Sequence, residues 1–516
     1  MRLRSLPLIA LCLLSSASAF AQKSDGGAKS PAEEHDKKVA TEIADNWVSA
    51  PVQEVTKTRE QKTGTLAYTS TAGTLTIRDA AGKPIASIFY TAYTMPAAGK
   101  RRPVTFFYNG GPGSASLWLR MGSFGPIKVR TTDPKAVAPA PFDVGPNPDT
   151  LLPTTDMVFL DAVGSGYSRA LGDAKPADFY GVDQDVDAFA KAITRYVSKY
   201  KRWGDPKYIF GESYGTTRSG ALSYKLEDQD MALNGVILLS SIMNYGVRQT
   251  GFDTIHIGYI PSYAAAAWYH NRIPNRPADV ATFVDQARAF ANGPYAAALA
   301  KGQDLSAEEE DAVARQMSGF TGLSVDYLKR ANLRVDLSRF RKELLRDSRE
   351  TIGRFDSRYT GIDDDAAGEN PDFDASSTAI TGLYVGSFLD EVSRRLGYDT
   401  DLTYRLSASE AGEFKWDWSH KGPDRRSQNV ADVTADLSAA MRSNPHLRVL
   451  SLNGYYDMAT PFFSTERDLK HMMLEPALRP NLQFRYYPAG HMVYLNPLAL
   501  HQMRLDVERF IQEGAH

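Results

Sequence analysis

A short apolar run, Lys207-Tyr208-Ile209-Phe210, leads straight into Gly211-Glu212-Ser213-Tyr214-Gly215, and a segment able to form a helix follows. That order constrains the fold more than any other stretch of the chain. It is the pattern of a strand that turns abruptly into a helix and presents the serine at the turn. A turn so sharp holds Ser213 in a strained backbone conformation, and small neighbours are needed beside it; Gly211 and Gly215 supply them. The serine hydroxyl then stands clear of the sheet at the positive end of a helix. Gly-x-Ser-x-Gly alone is a weak signal, so its weight depends on what surrounds it.

The flanking segments read as doubly wound α/β. Pro103-Val104-Thr105-Phe106-Phe107-Tyr108 is a strand with few polar positions, and Asn109-Gly110-Gly111-Pro112-Gly113 follows it. A strand buried on both faces that ends in glycines belongs in a parallel sheet whose C-terminal edge carries the site. Glycines there let backbone N–H groups approach a ligand, as an oxyanion hole requires. Met157 to Asp161 and Val236 to Ser240 are further buried strands. Between them, Val186, Phe189, Ala190, Ile193 and Val197 recur at helical spacing. Before these, from about Thr63, short alternating runs broken by Gly turns predict an antiparallel meander at the sheet edge. Between about 243 and 400 the buried strand-like runs give way to helical spacing, which predicts a mainly helical cap over the site. Its acidic loop, Asp363 to Asp374, partly resembles a calcium loop but has Ala367 at the fifth position and no glutamate at the twelfth. A solvated acidic loop is the other reading. Trp416 and Trp418 form an aromatic stripe open to packing or ligand contact.

Strand character returns at Leu447 to Leu452, followed by Asn453-Gly454-Tyr455-Tyr456-Asp457, and again at Leu482 to Tyr487, followed by Pro488-Ala489-Gly490-His491. An aspartate and a histidine thus each follow the end of a late strand, the topological position of Ser213. The chain order Ser, Asp, His is the one expected of an α/β-hydrolase triad. The predicted architecture is therefore an α/β-hydrolase fold, with a mostly parallel central sheet, helices on both faces and a largely helical cap insertion. Residues 61–242 and 401–516 form its core, and 243–400 the cap.

The ends and the composition narrow the class. Arg2 and Arg4, the apolar run Leu6 to Leu14, and Ala19-Phe20-Ala21 read as a secretory signal over residues 1–21, with a flexible leader at 22–60. The apolar run is too short to span a bilayer, and the expected location is periplasmic or secreted. The chain's one cysteine, Cys12, lies inside the signal, so the mature protein is expected to have no disulfide. A net charge of -2 gives no electrostatic footprint for nucleic acid. No metal or cofactor is called for.

The motifs Asn109 to Gly113, Gly211 to Gly215 and Gly490-His491-Met492-Val493 together resemble the hallmarks of serine carboxypeptidases. Asp161 to Ser168 is similar to another segment of that family, with Ala162 where a proline is usual. The likeness covers the core and not the cap. It implies an exopeptidase acting on peptides with a free C-terminus, with Ser213 as nucleophile, His491 as base and then acid, and Asp457 orienting the imidazole. It further implies an oxyanion hole from the N–H groups of Gly111 and Tyr214. Asn109, Gly110 and Glu212 would hold the terminal carboxylate, and Met492 would line the leaving-residue pocket. An esterase, amidase or acyltransferase on the same scaffold is the alternative.

Two departures matter. Ser114 stands where a cysteine is usual, and Ser123 stands where a second carboxylate-binding glutamate is common. Without that like-charged neighbour, Glu212 is expected to have a less elevated pKa and the enzyme a milder acid preference.

Overall fold

The computed structural model describes residues 50–516, apart from 98, 100, 250, 275 and 516. The signal read at 1–21 and most of the leader read at 22–60 lie outside the described residues. Within them, nine strands form the main sheet: β1 (Thr56–Thr63), β2 (Leu66–Arg78), β3 (Pro84–Thr94), β4 (Val104–Tyr108), β5 (Asp156–Leu160), β6 (Lys207–Ser213), β7 (Gly235–Ser241), β8 (Arg448–Gly454) and β9 (Leu482–Tyr487). Their spatial order is β1-β2-β3-β5-β4-β6-β7-β8-β9, and the two-residue strand Arg169–Ala170 also pairs with β3. β1, β2 and β3 are antiparallel, as is β3 against β5; every pair from β5 to β9 is parallel. The sheet starts at Thr56, inside the stretch expected to be leader. β1 is an edge strand of polar residues, mostly exposed, so it has no apolar alternation to betray it.

The main helices are α1 (Leu117–Gly122), α2 (Val182–Lys199), α3 (Tyr214–Glu227), then α4 (Thr254–Tyr269), α5 (Val280–Phe290), α6 (Ala307–Thr321) and α7 (Thr381–Asp390) of the insertion, which also holds several shorter ones, and α8 (Thr434–Ser443), α9 (Phe462–Lys470) and α10 (Pro497–Gly514) of the return. Successive residues of a parallel strand point to opposite faces, and both faces here are covered. Phe106, Tyr108, Ile209 and Leu238 pack with Val186, Phe189 and Leu222 of α2 and α3. Their neighbours Phe107, Phe210, Ile237 and Leu239 pack on the other side with Leu119 of α1, Phe388 of α7 and Met503 of α10. This double burial is why the strands read as unbroken apolar runs in sequence.

The segment between β7 and β8 has a core of its own, built from Tyr263, Phe283, Val284, Met317 and Phe340, with Phe462 and Phe463 of α9 joining it. Its helices start on side-chain caps: Asp279 accepts from Thr282 N ahead of α5, and Ser306 and Glu309 form a reciprocal capping box ahead of α6. It also carries a short hairpin, Glu350–Ile352 paired with Thr360–Ile362. In the acidic loop, Asp363 is buried and ion-paired with Lys342, and Asp374 accepts from the backbone N–H of Arg354 and Ser376. Trp416 and Trp418 pack edge-on against Tyr214, at 5.2 and 6.2 Å between ring centroids. Among the described residues no helix is long and apolar enough to cross a membrane.

Candidate active site

β6 ends at Ser213 and α3 begins at Tyr214, with no loop between them. Ser213 has φ 62° and ψ -130°, a strained conformation for a residue with a side chain. Close approach explains the glycine on the strand side: a Cβ at Gly211 would lie 2.2 Å from the carbonyl oxygen of Gly215. The loop after β4 presses on the same turn. A Cβ at Gly110 would lie 2.4 Å from the backbone nitrogen of Tyr214. Gly111, the next residue, has φ 104° and lines the same cavity as Ser213. The glycine loop therefore sits against the first N–H groups of α3, whose positive end faces the cavity.

Three buried groups lock that loop. Arg218 of α3 donates to the Asn109 carbonyl at 2.9 Å while its other nitrogens hold Asp185 at 2.7 and 3.1 Å. Ser116 Oγ accepts from Asn109 N at 3.1 Å, and Asp161 accepts from Ser116 N at 2.7 Å. Arg218 and Ser116 carry no local sequence signal for this role, and Asp161 stands out in sequence only as the start of the family-like segment Asp161 to Ser168. Only the folded chain shows that the three converge on one loop.

His491 follows β9 and Asp457 follows β8, adjacent parallel strands, so their side chains meet: His491 Nδ1 to Asp457 Oδ2 is 2.8 Å. Asp457 is oriented in turn by the N–H groups of Ala459 and Thr460, at 2.8 and 2.9 Å, and by the Thr460 hydroxyl at 2.6 Å. With Nδ1–H donated to Asp457, Nε2 is left as the free acceptor. Burial is the largest influence and works against the imidazolium, yet the charge and hydrogen bond of Asp457 together with Glu212 hold His491 above its ordinary value. Ser213 and His491 line one cavity of about 340 Å³, together with Asn109, Gly110, Glu212 and Met492. Among the described residues no hydrogen bond joins Ser213 to His491.

Glu212 is buried beneath the elbow. It accepts from Asn109 Nδ2 at 2.7 Å and from the Tyr494 hydroxyl at 3.0 and 3.2 Å. Burial is the largest influence on it and pushes its carboxyl up to about 7, against the downward pull of His491, Tyr494 and Asn109. Glu212 is thus elevated although Ser123 stands where a second glutamate is common. Burial is the main cause, and the Asp457 carboxylate adds a smaller push in the same direction. Ser123 donates its hydroxyl to the Leu119 carbonyl, inside α1, and is fully buried. Tyr494 occupies the ground nearby: a Cβ at Gly122 would lie 2.6 Å from its ring. It lies only two residues past the Gly-His-Met motif but carries no sequence signal of its own.

The far wall of the cavity comes from the insertion. The hairpin loop supplies Arg354, Phe355 and Asp356, and Ser376, Ser377 and Ile380 follow. His491 N donates to the Phe355 carbonyl at 2.6 Å, and the Phe355 ring lies 5.1 Å from the imidazole. Arg358 fixes that loop by bonding Asp356 at 2.6 Å and Asp133 at 2.6 and 2.9 Å, all three side chains being buried.

A parallel sheet with an antiparallel edge, helices on both faces and a serine at a strand-to-helix turn define the α/β-hydrolase fold. Within that class, residues 61–291 match the family model Peptidase_S10, serine carboxypeptidase, which supports the family read from the motifs. A stretch of 165 residues is 24% identical to serine carboxypeptidase S10 family member 1 of Dictyostelium discoideum. That alignment covers 31% of this chain and 37% of the relative, so the chain matches little more than a third of the relative's length. Among solved structures, KEX1(delta)p, a prohormone-processing carboxypeptidase from Saccharomyces cerevisiae, superposes with a TM-score of 0.52. Identity is 12%, over 86% of this chain and 92% of that one, a likeness of fold.

Proposed function

We propose that this chain is an exported serine carboxypeptidase, periplasmic or secreted, that releases C-terminal residues from peptides through an acyl-enzyme. The observation that carries the reading is the pairing of Glu212 with Asn109 at 2.7 Å in the cavity that also holds Ser213 and His491. Cleavage of a neutral ester does not call for a protonated carboxyl facing the substrate beside the nucleophile. A carboxypeptidase does, because a carboxyl that keeps its proton up to about pH 7 can donate to a substrate carboxylate instead of repelling it.

Ser213 attacks the last peptide carbonyl while His491 Nε2 takes its proton. Asp457, held by three hydrogen bonds, fixes the tautomer and supports the imidazolium. Serine hydroxyls that stand off the base in the free enzyme commonly close on it once substrate is bound. The N–H groups of Gly111 and Tyr214 receive the oxyanion, each such donor contributing about 3 kcal/mol to the transition state. His491 then protonates the leaving amine, and water, activated by the same imidazole, frees the acyl-enzyme. Asn109, Gly110 and Glu212 hold the terminal carboxylate, and Met492 lines the pocket of the departing residue.

The test is an N-blocked dipeptide offered with its C-terminus free or amidated. The free form is expected to be cleaved with the larger kcat/KM, and Ser213→Ala to abolish cleavage. Equal cleavage of both forms, or preference for the amide, would move the reading to an amidase or esterase.

A further inference from the structure

The charged side chains around the cavity are unequally satisfied. Glu212 is held by Asn109 and Tyr494. Asp356 is ion-paired with Arg358, which bonds both of its carboxylate oxygens and is shared with Asp133. Arg354 lines the same cavity, and among the described residues its guanidinium has no hydrogen-bond or ion-pair partner. The guanidinium lies over the face of Phe355, 5.0 Å from the ring centroid. The residue is exposed, yet its backbone is anchored. Arg354 N donates to Asp374 at 2.9 Å, and its carbonyl accepts from Met458 N at 3.2 Å. The loop backbone is thus tied at Arg354, and the residue lines the space a substrate must fill. Its charge is felt at the chemistry, since it opposes the imidazolium of His491.

We propose that Arg354 makes this site selective for peptides bearing a carboxylate side chain next to the scissile bond, a second anion besides the terminal carboxylate. The inference rests on the carboxypeptidase reading, which already assigns that terminal carboxylate to Asn109 and Glu212. An arginine lining the cavity is suited to a carboxylate because its fork matches two oxygens at once. The Phe355 ring beneath it limits the directions the guanidinium can take.

The experiment compares kcat/KM for N-blocked dipeptides in Glu/Gln pairs, at about pH 6, where a free glutamate side chain is ionised. One pair varies the acyl-side residue and the other the leaving residue. Wild type is expected to favour Glu over Gln by about tenfold at one of the two positions, as a charge-assisted hydrogen bond allows. The ratio should fall to near one in Arg354→Gln and return largely in Arg354→Lys, which keeps the charge. Equal rates for Glu and Gln at both positions, or a ratio unchanged in Arg354→Gln, would overturn the proposal. So would loss of the free-against-amidated discrimination in Arg354→Gln with the Glu/Gln ratio intact, for then the guanidinium holds the terminal carboxylate itself. If no dipeptide is cleaved but N-blocked amino acid esters are, the carboxypeptidase reading fails. The same Glu/Gln contrast on the acyl side of the esters then decides Arg354.

Discussion

The two walls of the cavity are built on different principles. One wall is the C-terminal edge of the parallel sheet, where β4, β6, β8 and β9 each deliver a group within a few residues of a strand end: Asn109, Ser213, Asp457 and His491. The other is a hairpin loop of the insertion, whose Arg354, Phe355 and Asp356 reach the cavity because Arg358 and Asp133 brace them from behind. Neighbouring strands in fixed register bring the first set together at distances set by backbone hydrogen bonds. The second set is brought in by a buried ion triad and one backbone bond to His491. The contrast suggests a division of labour, chemistry on the rigid edge and selectivity on the braced loop.

The comparison can be broken at either wall, and the largest effect is expected at the sheet edge. Ser213→Ala should lower kcat on a blocked dipeptide by roughly 10⁵-fold or more with an unchanged circular dichroism spectrum. A variant within tenfold of wild type would remove the serine from the mechanism. On the other wall, Arg358→Ala strands Asp356 and Asp133 as buried, unpaired carboxylates. It is expected to cost about 3–5 kcal/mol of stability, read by urea denaturation. A loss below about 1 kcal/mol, the worth of a surface pair, would mean that the loop is not braced as described.

Gly110→Ala probes the seam between glycine loop and elbow. Its new methyl would meet backbone, not a movable side chain, so the loop must shift. A fall in kcat of about 10²-fold is expected, with KM for an ester substrate little changed.

The smallest effect is on the pH profile. His491 must be unprotonated to act as base, so kcat/KM should rise as pH passes upward through its elevated value. Glu212 must keep its proton to face a carboxylate. Peptide KM should therefore rise as pH passes above about 7, close to tenfold per unit at the steepest, while a neutral ester shows no such limb. Because the two groups are coupled, the apparent values belong to the pair. Glu212→Gln should flatten the peptide limb and also move the rising limb to lower pH, since Glu212 helps to raise His491. Retention of the wild-type KM profile for peptides by that variant would contradict the proton-sharing account.

How much of this was visible beforehand follows from the kind of signal each residue leaves. Phe106 to Tyr108 and Ile209-Phe210 are buried on both faces, so their apolar runs announced central strands. The glycines around Ser213 announced the turn because a Cβ there has nowhere to go. β1 leaves no sequence signal because an exposed polar edge strand carries no periodicity. The elevation of Glu212 is not legible in sequence because a count of nearby carboxylates says nothing about desolvation. Thr460, Tyr494 and Arg218 left no trace: a hydroxyl or guanidinium gains a role only from what it touches.

The linear chain determined the strand ends, the strained turn and the order Ser, Asp, His, because these are local demands of backbone sterics and of burial on two faces. Tertiary structure alone decided that a hairpin loop of the insertion would back the imidazole of His491 and leave Arg354 lining the cavity. That outcome depends on contacts such as Arg358 with Asp133, 225 positions apart, and a pairing over that span leaves no periodicity for either segment to show.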